Sequence, residues 1–204
     1  MTAHQSARAT DQGDSYEVVA IASSAGGIHG LRVLLEGLGG DLPVPVLIVQ
    51  HLDPRHRTVI AEVLARRTAL DVKLADQDER ALPGTAYVAP PDRHLLVGHD
   101  GVLTLSSSAL VHFVRPSADL LFESVAGAYG PRSIAVVLTG TGVDGSMGVA
   151  AVASRGGTVI AQDPESAEFP SMPKAALGTG AVDFVLPLEE IAAVIRGLVE
   201  TKRQ

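Results

Sequence analysis

The sequence predicts an α/β fold: a doubly wound, mostly parallel sheet with helices on both faces and a small β-hairpin insertion. Three observations carry this. The apolar runs Val18–Ala22, Val44–Val49 and Ser133–Leu138 are continuous rather than alternating, as in strands buried on both faces. Each ends in a polar or Gly-rich turn before a stretch with helical spacing, the pattern of parallel strands joined by right-handed helical crossovers. Hydrophobic residues make up 46% of the 204 and aromatic residues only 3%, so the core is built from Val, Leu, Ile and Ala.

The elements follow in order. Residues 1–15 are polar, small and aperiodic, and read as a disordered tail; residues 16–204 read as a single domain. After the first strand, Leu31, Leu34, Leu35 and Leu38 recur at helical spacing until Gly39-Gly40. The second strand runs into Gln50-His51-Leu52-Asp53-Pro54, and Thr58 to Arg67 is expected to be helical. Val72–Ala75 and Thr85–Ala89 read as short strands, and Leu95–Val97 and Val102–Leu105 flank the hairpin signal His99-Asp100-Gly101. Residues 75–110 are therefore expected to form a β-rich insertion. A helix from Ser117, its expected N-cap, to Tyr129 leads to the strand Ser133–Leu138 and a helix over Ser146–Ser154. Thr158–Ala161 and Val182–Leu186 read as strands, Lys174–Leu177 as a short helical piece, and Glu189–Glu200 as a closing amphipathic helix.

Charge and composition narrow the function. The net charge of −7, from 16 Lys and Arg against 23 Asp and Glu, leaves no nucleic-acid footprint. The lack of Cys excludes disulfides, thiolate metal sites and Cys nucleophiles. No two His show HxxxH spacing with an acidic partner, so neither a metal nor another cofactor is expected. No apolar run reaches the roughly 18 residues of a membrane span, and no signal-peptide core opens the chain. A cytoplasmic protein without membrane insertion is the expectation.

Three reactive side-chain types stand just past the ends of apolar strands: Ser24, His51 and Asp144. Parallel strands share one C-terminal edge, and sites form in the crevice outside it. A Ser hydroxyl needs a base to take its proton, a neutral imidazole can do so, and a carboxylate fixes the imidazole and stabilises its cation. Glycines beside Ser24 and Asp144 leave backbone N–H groups open to an oxyanion, with Ala25, Gly26, Thr141 and Gly142 as candidate donors. Each residue also has a plainer role: Ser24 as a helix cap, His51 as a loop histidine, Asp144 as a turn former. Ser23 competes with Ser24, because a one-residue shift of the strand end would exchange them. Arg55, Arg57, Arg66 and Arg67 form a basic cluster after His51 that reads as a solvated face or as a landing site for an acidic partner.

The motifs, taken together, resemble one family. They are Ala22-Ser23-Ser24-Ala25-Gly26-Gly27, Val49-Gln50-His51-Leu52-Asp53-Pro54, the run from Pro83 to His94, Arg115-Pro116-Ser117-Ala118-Asp119-Leu120-Leu121-Phe122, Leu138 to Gly145, and Ala161-Gln162-Asp163 leading to Met172-Pro173-Lys174. In this order they resemble the catalytic domain of the CheB-type chemotaxis protein-glutamate methylesterases, from about Val18 to Val199. The resemblance implies Ser24 as the nucleophile rather than Ser23, His51 as the base and Asp144 as its acid. It implies hydrolysis of glutamate methyl esters on a methylated chemoreceptor helical bundle, and for many members deamidation of receptor glutamines. Ala22, Ala25 and Thr141 stand where the family usually carries Gly, Thr and Met. The short tail leaves no room for the family's receiver domain, so the expectation is a protein either unregulated in this way or controlled by a separate receiver-domain regulator. Two other readings remain: a CheB-like binding module with weakened catalysis, and a phosphate-binding domain built on the Gly turns.

Overall fold

The computed structural model describes residues 15–52 and 58–201. Residues 1–14 of the expected tail, and Arg55, His56 and Arg57, lie outside the described residues. The chain runs β1 (Val18–Ser23), α1 (Gly27–Leu38), β2 (Val46–Gln50), α2 (Ile60–Ala65), β3 (Asp71–Leu74), β4 (Thr85–Val88), β5 (His94–Val97) and β6 (Leu103–Ser106). It continues with α3 (Ala118–Tyr129), β7 (Ser133–Val137), α4 (Ser146–Ser154), β8 (Thr158–Gln162), α5 (Ser171–Gly178), β9 (Phe184–Leu186) and α6 (Leu188–Thr201).

Seven strands form one sheet in the order β3-β4-β2-β1-β7-β8-β9, every adjacent pair parallel. β5 and β6 form a separate antiparallel hairpin. The expected insertion over residues 75–110 is thus narrower than its sequence suggested. β4 lies inside that range but belongs to the main sheet, between β3 and β2. Its residues Thr85, Ala86, Tyr87 and Val88 are all buried, which only a covered central strand achieves.

Alternation along each strand sends side chains to opposite faces. Val19 and Ile21 of β1 join Val46, Ile48, Ile134 and Val136 under α1, α2 and α6. Val18, Ala20 and Ala22 join Leu47, Val49, Ala135 and Val137 under α3, α4, α5 and the hairpin. The first face is bulky and the second mostly small, so α3 and α4 come close to the sheet. Helix α1 seats Leu31, Leu34, Leu35 and Leu38, all fully buried, each worth about 1.5–3 kcal/mol relative to exposure.

Element boundaries differ from the sequence reading for local reasons. α5 begins at Ser171 rather than Lys174, because Pro173 falls in its first turn, where no backbone donor is needed. α2 is shorter than expected, ending at Ala65 and leaving Arg66 and Arg67 exposed. Ser117 does stand before α3, but its hydroxyl makes no bond to its own helix.

The tightest approach in this layer is between α3 and α4, at Gly148. A Cβ added there would lie 2.6 Å from Phe122 Cβ and 3.0 Å from the Asp119 carbonyl oxygen. Gly148→Ala is therefore expected to destabilise the fold by about 1–3 kcal/mol despite its better helix propensity, as measured by urea unfolding.

Candidate active site

The order β2-β1-β7 answers what the sequence left open. The strands carrying His51, Ser24 and Asp144 are the three adjacent central strands, and β1 is where the winding reverses. His51 donates its backbone N–H to Ser23 O at 3.2 Å, and Ser24 donates its own to Thr139 O at 3.1 Å. The main chain alone thus holds the ends of β2, β1 and β7 together.

Ser23 and Ser24 part company here. Ser23 is fully buried, and its hydroxyl donates to Gln50 Oε1 at 2.7 Å. Ser24 is half-buried at the start of the turn into α1. Gln50 then donates from Nε2 to the carbonyls of Ser24 (2.8 Å) and His51 (3.0 Å). One buried amide therefore fixes both main-chain positions. On the other side Gly140 leaves the space Ser24 occupies: a Cβ there would lie 2.9 Å from Ser24 Cβ and collide with Met172 Sδ.

His51 Nε2 lies 2.8 Å from Asp144 Oδ2, with the imidazole 14% and the carboxylate 3% exposed. Asp144 takes three further bonds. Ala118 N–H donates to Oδ2 at 2.6 Å, Asp119 N–H to Oδ1 at 3.1 Å, and the Ser117 hydroxyl to Oδ1 at 2.7 Å. The carboxylate thus caps α3 from a distant part of the chain and sits on the positive end of its dipole. Burial, the largest single influence on Asp144, pushes its pKa up. The bonds from His51, Ala118, Ser117 and Asp119 together outweigh it, and the net shift is downward. The balance is reasonable in size: burying a carboxylate costs several kcal/mol, while bonds to a charged group contribute about 1.5–3 kcal/mol each. An ionised Asp144 can only accept, so Nε2 of His51 carries a proton, and Nδ1, which bonds to no other group among the described residues, keeps its lone pair.

Asp119 returns the cap. Its Oδ1 accepts the N–H of Gly148 in the first turn of α4 at 2.7 Å, and its Oδ2 lies 3.0 Å from His112 Nε2. Burial first, opposed by the Gly148 bond, and then the Asp144 charge hold its pKa above the ordinary value. Two neighbouring carboxylates are therefore pushed apart, one toward the ionised and one toward the protonated form.

The expected oxyanion donors can be compared. The N–H groups of Ala25, Gly26, Thr141 and Gly142 donate to no other group among the described residues, whereas that of Ser24 is spent on Thr139. Thr139 laces the loops around them. Its hydroxyl donates to Ala25 O at 3.1 Å and accepts from Phe169 N–H at 2.8 Å, and its N–H donates to Gln162 Oε1 at 2.9 Å. Ala25 enters this network through its carbonyl, which needs no particular side chain. Gln50, Ser117, Thr139 and Gln162 were not singled out from the sequence as parts of the site. The available signal was a polar residue closing an apolar strand, as in Val46–Gln50 and Thr158–Gln162.

With this geometry in place, likeness to known proteins becomes informative. The family model described as CheB methylesterase matches residues 19–195. The chain belongs to the CheB methylesterase family. A Rhizobium meliloti protein named protein-glutamate methylesterase/protein-glutamine glutaminase of group 3 operon is 44% identical over 187 residues, covering 90% of this chain and 53% of that protein. A Leptospira interrogans protein, named a putative enzyme of the same kind, is 38% identical and covers 87% of this chain and 92% of its own length. The Myxococcus xanthus protein-glutamate methylesterase FrzG is 38% identical, covering 96% of this chain and 59% of FrzG. The chain thus spans a little over half the length of the Rhizobium and Myxococcus relatives. The crystal structure of the Thermotoga maritima CheB methylesterase catalytic domain superposes with a TM-score of 0.85 at 36% identity, over 92% of this chain and 100% of that one. The shared fold is the parallel sheet with its covering helices. No helix among the described residues is long and apolar enough to cross a membrane.

The paired carboxylates set a pH signature. A folded-state pKa below the ordinary 3.8 means that Asp144 contributes stability fully above that value, lost as the pH falls through the lowered one. Asp119, raised from 3.8, has the opposite sign: what it contributes at acid pH is lost as the pH rises through its raised value. Asp144→Asn is expected to be markedly less stable than the wild type at neutral pH, with the gap closing only as the pH falls below 3.8 and through the lowered pKa. Urea unfolding across that range measures it, and a pH-independent gap would contradict the assignment.

Proposed function

We propose that this chain is a serine hydrolase that removes methyl esters from glutamate side chains of chemoreceptors. The CheB methylesterase family acts on chemoreceptors in chemosensory systems. The observation that carries the reading for this chain is the His51–Asp144 pair at 2.8 Å, held at the end of β7 beside the turn that presents Ser24.

In this mechanism Ser24 Oγ attacks the ester carbonyl carbon while Nδ1 of His51 takes the hydroxyl proton. Backbone N–H groups of Ala25, Gly26, Thr141 and Gly142 supply donors for the oxyanion. The tetrahedral intermediate collapses as His51 returns the proton to departing methanol, leaving an acyl-Ser24. Water, deprotonated by the same Nδ1, then attacks the acyl carbon and frees the glutamate carboxylate. Asp144 stays ionised throughout, keeps the proton on Nε2 and stabilises the imidazolium. Deamidation of glutamine would follow the same route with ammonia as the leaving group. The reading of a binding module with weakened catalysis gains nothing from Ala25, which serves the site through its main-chain carbonyl and N–H rather than its side chain.

Two measurements test the roles. Ser24→Ala should abolish methanol release from methylated receptor while its thermal unfolding stays close to the wild type; unchanged release would remove Ser24 as the nucleophile. Asp144→Asn should lower kcat by about 10³–10⁴-fold, because the amide can donate to Nε2 and force the proton onto Nδ1.

A further inference from the structure

We infer that the turn Val111–Val114 is a docking element for the protein substrate, with Phe113 as its apolar anchor; this rests on the esterase reading proposed above. The turn is closed from both sides, Val111 N–H to Val114 O at 3.2 Å and Val114 N–H to Val111 O at 2.9 Å. Its central residues, His112 and Phe113, have φ of 48° and 64°. Such turns ordinarily hold Gly, Asn or Asp, because a left-handed conformation costs other residues roughly 1–2 kcal/mol each. For a bulky residue such as Phe it is a true outlier.

Phe113 is also 95% exposed. Folding gains nothing from it: the backbone is strained and the ring is left in water. A polar Asn-Gly pair would serve the turn better on both counts.

The surrounding structure nevertheless enforces this arrangement. Arg115 donates to the carbonyls of Ser107 (3.0 Å) and Ser108 (2.7 Å) and pairs with Asp92. His94, fully buried, reaches Ala109 O with Nε2 at 3.0 Å and accepts the Ser117 N–H on Nδ1 at 3.1 Å. His112 is pinned to Asp119. Strain that persists under this many constraints is a mark of function, and a rigid aromatic loses little entropy on binding.

The place of the turn names the occupant. Asp119, which holds His112, bonds through its N–H to the Asp144 carboxylate and through its own carboxylate to Gly148. Flanking those two residues, Val143 is 49% and Met147 62% exposed. His112 and Asp119 thus tie the Phe113 turn to the Asp144 carboxylate, Val143 and Met147 stand next in sequence to Asp144 and Gly148, and a polypeptide that brings a side-chain ester to Ser24 would meet this edge. Aromatic and Met side chains are the usual anchors of such contacts. The partner's chemistry follows: an apolar side chain on the substrate chain close to the ester-bearing residue.

Phe113→Gly separates this role from a structural one. With a methylated receptor cytoplasmic fragment as substrate, KM is expected to rise about tenfold with kcat near that of the wild type. Thermal stability should equal or exceed the wild type, since Gly relieves the left-handed strain. Phe113→Tyr should keep the wild-type KM, and hydrolysis of p-nitrophenyl acetate reports an intact catalytic centre. An unchanged KM in an enzyme that releases methanol would overturn the docking role alone. A fall in stability would make Phe113 structural, and loss of self-association on sedimentation would make the face an interface between copies; either result overturns the proposal. No methanol from the wild type, with the small ester still cleaved, would overturn the receptor-esterase reading and this inference with it.

Discussion

The carboxylate of Asp144 is the constraint on which the rest of the site depends. It is nearly inaccessible, ionised, and satisfied by four donors from two distant parts of the chain. Three of those donors belong to the start of α3, so the group that orients the imidazole is also that helix's cap. Asp119 does the reciprocal service for α4. The two helices exchange caps across the close contact at Gly148, and the edge of the sheet that carries His51 and Asp144 is braced by the same bonds. Packing between α3 and α4 and orientation of His51 are therefore one structural problem with one solution.

A second brace comes from the strand ends. Gln50 is buried between the main-chain ends of β1 and β2, and Gln162 between those of β8 and β7. In each case an amide at the end of an apolar strand joins neighbouring loops where the regular ladder of the sheet has stopped. The first residues after β1, β2 and β7 are consequently held by side chains rooted in the sheet, which places Ser24, His51 and the free N–H groups near them on rigid supports.

Much of this was legible in the sequence. Continuous apolar runs ending in polar turns gave away the parallel sheet and brought Ser24, His51 and Asp144 to one edge. The neighbour relations were not legible, because apolar runs of similar composition do not encode which strand lies beside which. β4 falls within the expected insertion for that reason: Thr85–Val88 is too short to announce itself as a buried strand of the main sheet. Ser23 and Ser24 could not be separated by pattern alone; a hydroxyl donated to Gln50 is a tertiary fact. Ser117 looks like a local cap because Ser commonly plays that part, whereas the partner of its hydroxyl lies 27 residues away. The left-handed Phe113 was invisible for the opposite reason, since nothing in its residue type favours that backbone.

The double duty of Asp144 sets the order in which such a chain can lose its chemistry. Ser24 makes no bond through its hydroxyl to the described residues, so replacing it removes the proposed nucleophile and little else. Replacing Asp144 strips α3 of its cap and unseats the contact with α4. A lineage drifting away from catalysis would shed the serine first and keep the acid as a fossil of the fold. An intact acid in a relative is thus weak testimony of activity, and the serine is the residue to inspect.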